Sequence, residues 1–242
     1  MNRFKILLSV LFIVHAGYSQ GTLNSFKTNQ IWFDLNVSTP LSESINFYAK
    51  IGAKTVSPKV WNKLYLSSEI SYNLQHLIFK NFEHKETVYG GVDFYFIDFI
   101  DSENAYEISP YQGYSLYWPN NKKLTLKHNL EFAERLQWIK NIDKYSFGIK
   151  ASYELDLSYK IFREPKQFVN GFYIGMSAKF WWNLIAANIY NDIIRITPKV
   201  GYQFSPKWKI SLFTGYNYTR NFSTTNFHSD NIIYRFRIYY NI

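Results

Sequence analysis

Apolar and polar residues alternate one by one along most of the chain. In KYSFGIKASYELDLSYKIF, residues 144–162, every second residue from Tyr145 to Tyr159 is apolar or aromatic, and charges lie among the residues between them. A period of two residues is typical of a β-strand with one apolar and one polar face. Common soluble strands run roughly 5 to 6 residues, so this alternation indicates an unusually long strand.

The same alternation recurs along the chain and predicts eleven strands. They cover residues 30–39, 45–54, 64–74, 87–99, 107–118, 124–138, 145–159, 172–182, 193–204, 208–220 and 231–242. Proline-containing and asparagine-containing turns separate them, and no window has a convincing helical period. We therefore expect an all-β protein with a single domain at residues 20–242.

The first residues have a different character. Arg3 and Lys5 precede a short apolar run at residues 6–14, and small residues follow it. This is the organisation of a secretory signal peptide, because a membrane-spanning helix needs about 20 apolar residues. We expect residues 1–19 to be a signal peptide that is cleaved on export through the Sec pathway.

Glycine placement indicates which face of the predicted sheet points inward. Seven of the eight glycines within predicted strands lie on the polar face, namely Gly52, Gly91, Gly113, Gly148, Gly175, Gly201 and Gly215. A narrow closed barrel is crowded inside, whereas a lipid-facing surface needs apolar bulk. The sequence therefore predicts a closed antiparallel transmembrane β-barrel, with a polar lumen, in the outer membrane of a Gram-negative envelope.

The number of predicted strands is odd. Single-chain bacterial barrels have even numbers of strands, so we expect about 12 strands, with 10 as the alternative if one predicted segment is a loop. The candidates for the twelfth strand are residues 77–82 and 23–28.

Aromatic residues make up 20% of the chain and gather at the ends of predicted strands. Those that share the apolar face are Trp118, Trp138, Tyr159, Trp182 and Trp208. Amphipathic rings prefer the headgroup zone of a membrane. We expect these five side chains to lie at the membrane interfaces.

Residues 106–138, YEISPYQGYSLYWPNNKKLTLKHNLEFAERLQW, contain two neighbouring strands with characteristic polar residues. These are Glu107, Pro110 and Gln112 on the first strand and Lys127, Glu131 and Arg135 on the second. The stretch resembles an uncharacterised family of outer-membrane β-barrels, the domain of unknown function 2490. This resemblance implies an outer-membrane barrel, and it implies no activity because none is established for the family.

The predicted inward face carries an excess of positive charge, with 12 basic and 6 acidic residues. The charges that form a predicted track through the lumen are Lys127, Glu131, Arg135, Lys150, Glu154, Asp156, Arg195, Lys199, Arg235 and Arg237.

Two readings of this charge track are open. One is a sealed structural barrel, in which the positive charges of the lumen pair with Glu131, Glu154 and Asp156, so that replacing Arg235 and Arg237 would mainly lower its stability. The other is a narrow, porin-like, anion-preferring pore for small anionic solutes.

Charge and composition also limit the partners. The formal net charge of +9 falls to +7 when Arg3 and Lys5 are removed with the signal peptide, and such a balance in an exported chain favours outer-membrane lipid and lipopolysaccharide over nucleic acid. The chain has no cysteine, which excludes disulfides and thiolate metal sites, and it has no metal-binding or phosphate-binding motif. We expect a monomer without a cofactor or metal.

Two alternative functions are a soluble periplasmic ligand-binding β-barrel and an outer-membrane lipid-modifying enzyme. Such an enzyme would gather a serine, a histidine and an orienting polar residue on its outer wall. His128 and Glu134 share the outward face, but six residues of strand separate them by roughly 20 Å. No outward serine lies on the next predicted strand, and we expect no enzymatic activity.

Overall fold

Eleven β-strands make up most of what the computed structural model describes, which is residues 28–57, 61–74, 84–99, 103–120, 123–140, 144–161, 170–185, 191–220 and 228–242. They are β1 (Thr28–Pro40), β2 (Ile45–Ser57), β3 (Trp61–Leu74), β4 (Lys85–Phe99), β5 (Ala105–Asn120), β6 (Leu124–Ile139), β7 (Lys144–Lys160), β8 (Gly171–Ile185), β9 (Asp192–Gln203), β10 (Trp208–Arg220) and β11 (His228–Asn241). Each agrees with a predicted strand to within three residues at either end. In these ranges no helix is long and apolar enough to cross a membrane.

The eleven strands form one closed barrel. Strands that follow each other in the chain pair antiparallel, and β1 completes the ring by pairing with β11. This last pair is parallel, with Thr28 opposite Asn231 and Ser38 opposite Asn241.

The ring therefore contains eleven strands and not the expected 12 or 10, and it is not antiparallel throughout. An even count follows only if the first and last strands run in opposite directions, whereas β1 and β11 run in the same direction. Residues 77–82 and 23–27, which were candidates for a twelfth strand, lie outside the described residues, and residue 28 begins β1. The predicted signal peptide also lies outside them.

The odd strand count places the two termini of the barrel at opposite ends. We call the end that contains Thr28 the N-terminal end and the end that contains Asn241 the C-terminal end. Short turns at residues 41–44 and 204–207 close two hairpins at the C-terminal end.

The two faces of the barrel differ sharply in character. Large apolar side chains on the outward face are exposed, as at Ile31 and Leu212, whereas inward residues such as Trp32 and Tyr111 are buried. These faces follow the predicted parity. The apolar side chains therefore cover the outside of the barrel, and the interior is filled mainly by polar and aromatic groups.

Inward glycines make room for tyrosine rings from the neighbouring strand. A Cβ on Gly52 would lie 2.6 Å from both the Tyr65 ring and the Phe33 carbonyl oxygen. The tyrosine–glycine pairs are Tyr65 over Gly52, Tyr111 over Gly91, Tyr89 over Gly113 and Tyr173 over Gly201. The polar face is rich in glycine because these rings lie flat against it inside a narrow barrel.

The closing pair of strands is testable because the chain contains no cysteine. Phe33 and Phe236 are aligned on β1 and β11, with ring centroids 5.7 Å apart. We expect Phe33→Cys with Phe236→Cys to form a disulfide, since aligned neighbours meet the Cα separation of about 4.4 to 6.8 Å that a disulfide requires. Thiol alkylation and mass spectrometry of the folded, oxidised protein would measure it.

The matched control combines Phe33→Cys with Tyr240→Cys. Tyr240 is opposite Val37, four residues further along, which is a displacement of roughly 13 Å. Free thiols in both folded variants would contradict the parallel closure in this register.

Candidate functional site

The interior of the barrel, which we call the lumen, contains all ten side chains of the predicted charge track. Lys127, Glu131 and Arg135 lie on β6, Lys150, Glu154 and Asp156 on β7, Arg195 and Lys199 on β9, and Arg235 and Arg237 on β11. Three inward charges with described side chains were missed. Lys63 and Lys85 precede the predicted starts of their strands, and Glu107 was left out of the inward acids although its parity is inward.

Asp34 on β1 binds both arginines of β11. Its Oδ2 atom accepts hydrogen bonds from Arg235 Nε and from Arg237 Nε, the second at 3.1 Å. The Asp34 side chain is fully buried. Ring closure brings β11 beside β1, so these two arginines pair with Asp34 and not with Glu131, Glu154 or Asp156.

Arg135 and Glu107 form a two-pronged ion pair across β5 and β6. The Nε and Nη2 atoms of Arg135 donate to the two carboxylate oxygens of Glu107 at 2.9 and 2.8 Å. Lys63 Nζ lies 4.0 Å from the same carboxylate. A paired guanidinium and carboxylate give a short, directional contact that fixes both side chains.

Two lysines bridge from β8 and β9 to the acids of β6 and β7. Lys179 Nζ lies 3.7 Å from Glu131 and 3.8 Å from Glu154. Lys199 Nζ donates to both oxygens of Asp156 at 2.6 Å. Lys199 passes over Gly175, where a Cβ would lie 2.5 Å from its Cε, so this glycine lets the lysine cross β8.

Other lumen cations lie over aromatic rings. Lys54 Nζ is 4.3 Å from the centroid of Trp32, and Lys209 Nζ is 4.0 Å from that of Tyr239. Lys127 Nζ lies 5.6 Å from the Tyr117 ring. The negative face of a ring attracts a cation within about 6 Å, so these rings compensate part of the charge that carboxylates leave over.

Positive and negative charges are unevenly distributed around the lumen. The inward face of β8 to β11 carries six cations and, among the described residues, no carboxylate. We call this set the basic wall, and it consists of Lys179, Arg195, Lys199, Lys209, Arg235 and Arg237. All lumen acids except Asp34 lie on β3 to β7. The lumen is therefore polarised from one side to the other.

The N-terminal end of the lumen contains apolar side chains, two of which lie outside the predicted strands. Val56, Ile97, Ala105 and Ile233 point inward there and are buried, and we call them the apolar floor. Gln30 lies between Val56 and Ile233 in the sheet. Val56 and Ala105 lie beyond the predicted strand ends, so the parity of those strands was not extended to them.

The five predicted interface aromatics lie outward near the two ends of the barrel. Trp118, Tyr159 and Trp208 lie toward the C-terminal end, and Trp138 and Trp182 lie toward the N-terminal end. Aromatic contacts extend both groups, with ring centroids 4.4 Å apart for Trp208 and Tyr240 and 5.6 Å apart for Tyr106 and Trp138.

Histidine contacts on the outer wall differ from those considered in the sequence. His128 Nδ1 is 2.8 Å from the Tyr153 hydroxyl. His84 contacts Glu86, to which the Tyr114 hydroxyl donates at 2.9 Å. The His84 and Glu86 side chains are buried, which leaves this acid–base pair little access to a substrate. The absence of enzymatic activity stays a prediction.

The remaining histidines and the possible metal ligands of the sequence add no metal site among the described residues. His76 and the side chain of His228 lie outside the described residues. Within the described ranges no three histidine or acidic residues are grouped so that they could hold a metal ion.

A model of a known protein family matches most of the chain. The model of the family described as "Protein of unknown function (DUF2490)" matches residues 29–228. The chain belongs to this family. The match begins in β1 and ends at the first residue of β11, so it covers nearly the whole barrel and confirms the resemblance of residues 106–138. The comparison with curated proteins found no match.

The buried Asp34 cluster predicts a specific pattern of stability. Replacing both arginines, in Arg235→Gln with Arg237→Gln, leaves Asp34 buried without a cation, and we expect a cost of about 3 to 5 kcal/mol. Adding Asp34→Asn should restore most of the loss, because the orphaned charge is removed. Urea unfolding of the refolded protein would measure the free energies.

Arg220→Gln is the matched control for this experiment. It breaks the pair with Asp192, in which the arginine is more exposed, and should cost about 1 kcal/mol or less. A triple variant no more stable than the double variant would contradict the role given to Asp34.

Proposed function

We propose that the protein is a monomeric outer-membrane β-barrel that performs no catalysis and whose lumen is closed by its own side chains. Its outer surface contacts lipid and lipopolysaccharide, and residues 1–19 direct its export. In this proposal the barrel serves as a membrane-embedded structural or binding protein.

The exposed apolar belt carries this proposal. Every one of the eleven strands presents at least one exposed large apolar side chain on the outward face. One from each strand, in order, is Ile31, Ile51, Leu66, Phe94, Trp118, Phe132, Leu157, Met176, Val200, Leu212 and Tyr234. Soluble monomers rarely expose an apolar patch beyond a few hundred Å², and a closed sheet is the β-structure that satisfies all backbone groups in lipid.

Two observations support a closed lumen. The ion pairs of Asp34, Glu107 and Asp156 hold long side chains against the inner wall, between strands that are adjacent or next but one, and the buried side chains of the apolar floor lie at the N-terminal end. A barrel of about eleven strands leaves little room once such side chains point inward. The basic wall favours a second candidate function, a narrow pore that prefers anions.

Membrane insertion is tested by placing an arginine on the apolar belt. Leu66 in the middle of β3 and Leu41 in the turn after β1 are similarly exposed, at 52% and 60%. In lipid vesicles Leu66→Arg should cost roughly 2 to 4 kcal/mol, whereas Leu41→Arg, beyond the belt, should cost about 1 kcal/mol or less. Unfolding titrations of the two refolded variants would give the difference.

A soluble periplasmic ligand-binding barrel would tolerate both substitutions, because water surrounds both leucines there. Membrane fractionation and mobility of unboiled protein on a denaturing gel provide an independent check. Recovery in the soluble fraction, together with equal stability of the two variants, would replace the membrane proposal by that alternative.

The state of the lumen is tested by conductance in planar bilayers. We expect negligible steady current from the refolded wild-type barrel, because the ion pairs and the apolar floor obstruct the path. Membranes treated with a mock refolding mixture serve as the control. A steady current whose reversal potential in a salt gradient shows that anions carry it would favour the narrow pore. A cation-selective current would contradict both readings.

A further inference from the structure

We propose that the lumen contains a binding site for one small anion with a carboxylate or phosphate group, between Lys54 and Arg195 beside Trp32. The proposal deepens the proposed function and rests on the closed lumen, in which a solute would be held rather than passed through.

Three cations surround the indole ring of Trp32. The distances from its ring centroid are 4.3 Å to Lys54 Nζ, 4.8 Å to Arg195 Cζ and 5.1 Å to Arg235 Cζ. The Trp32 Nε1 atom donates to Gln30 Oε1 at 2.9 Å, which fixes the ring above the apolar floor. One buried ring therefore gathers three positive charges from β2, β9 and β11.

These three cations differ in the groups that compensate their positive charge. Arg235 binds Asp34, and Arg195 Nε donates to Asn217 at 2.7 Å. No carboxylate of the described chain lies within 4.0 Å of Lys54 or Arg195. Lys63 is aligned with Lys54 on β3, but Glu107 lies 4.0 Å from it and compensates part of its charge. The donors of Lys54 and the terminal nitrogens of Arg195 are thus available for an anion.

A neutral donor lies beside the same lysine. The Tyr65 ring centroid is 4.7 Å from Lys54 Nζ. Tyr65 is 6% exposed, and its hydroxyl oxygen has no hydrogen-bond partner among the described residues. A buried polar group without a partner is costly, and an anion held by Lys54 would offer this hydroxyl an acceptor.

The burial and charge of the site at Lys54 and Arg195 fit a small anion better than a polymer chain that would pass through the barrel. Lys54 and Arg195 are half-buried, so solvent reaches them, whereas the apolar floor lies just beyond them at the N-terminal end. Uncompensated cations that are partly removed from water destabilise the barrel unless an opposite charge joins them. An oxyanion would supply that charge together with several hydrogen-bond acceptors.

The site is tested by calorimetric titration of the refolded barrel in detergent micelles with inorganic phosphate at constant ionic strength. Lys54→Met and Arg195→Gln should each weaken phosphate binding about tenfold or more, because a charge-assisted hydrogen bond is lost. Glucuronate, titrated in parallel, distinguishes a carboxylated sugar from free phosphate as the preferred source of the anionic group.

Lys127→Met is the matched control. Lys127 also lies over a tyrosine ring, but it is aligned with Asp156 on the acidic side of the lumen. We expect this variant to bind phosphate within about twofold of the wild type. Wild-type protein that is folded but binds neither probe would overturn the proposal, as would equal weakening by Lys54→Met and Lys127→Met.

Thermal unfolding gives a second readout that also reports on folding. Phosphate should raise the unfolding temperature of the wild type, because ligand that binds the folded state stabilises it, and should have little effect on Lys54→Met. Without phosphate, Lys54→Met should unfold at the higher temperature, since it removes an uncompensated charge. A lower temperature for Lys54→Met, with an unchanged phosphate response, would overturn the site.

Conductance separates this proposal from the proposed function. A silent barrel that binds neither probe would overturn the anion site alone. A conducting barrel that binds phosphate through Lys54 and Arg195 would support the site and overturn the closed lumen.

Discussion

The parallel contact between β1 and β11 is the constraint on which the rest of the structure depends. A β-sheet without this contact would leave two edges of unpaired backbone groups, which neither lipid nor a packed interior tolerates. Closure also creates the inside of the barrel, where Asp34 of β1 meets Arg235 and Arg237 of β11. Because the two strands are parallel, the strand count is odd and the termini of the barrel lie at opposite ends.

The lumen compensates its positive charge in two ways. On the side formed by β3 to β7, carboxylates hold cations through ion pairs such as that of Glu107 with Arg135. Around Trp32 and Tyr239, cations of β2 and of the basic wall lie over aromatic faces. Ion pairs fix specific partners, whereas ring contacts leave the hydrogen-bond donors of a cation free. This difference concentrates the available donors near Lys54 and Arg195.

The two ends of the lumen differ in the polarity of their side chains. The N-terminal end contains the apolar floor beside a buried polar pair, Asn217 and Asn231, whereas Ser38 and Asn241 lie inward at the C-terminal end, where they hydrogen-bond to each other. An anion drawn along the basic wall would meet the Trp32 cluster before it met the apolar floor. In the proposed function, such an interior would retain a small charged solute, and the exposed apolar belt would contact lipid.

The sequence by itself determined the strands, their two faces and the inward position of the charge track, because alternation with a period of two is a local property of the chain. Glu107 carried the same signal, and its inward parity was available without a structure. Only the tertiary structure decided the count of eleven and the partner of each charge, since Asp34 and Arg235 are 201 positions apart and meet through ring closure. The tertiary structure also decided the apolar floor. Residues such as Val56 and Ala105 point inward because pairing with the neighbouring strands extends β2 and β5 to include them.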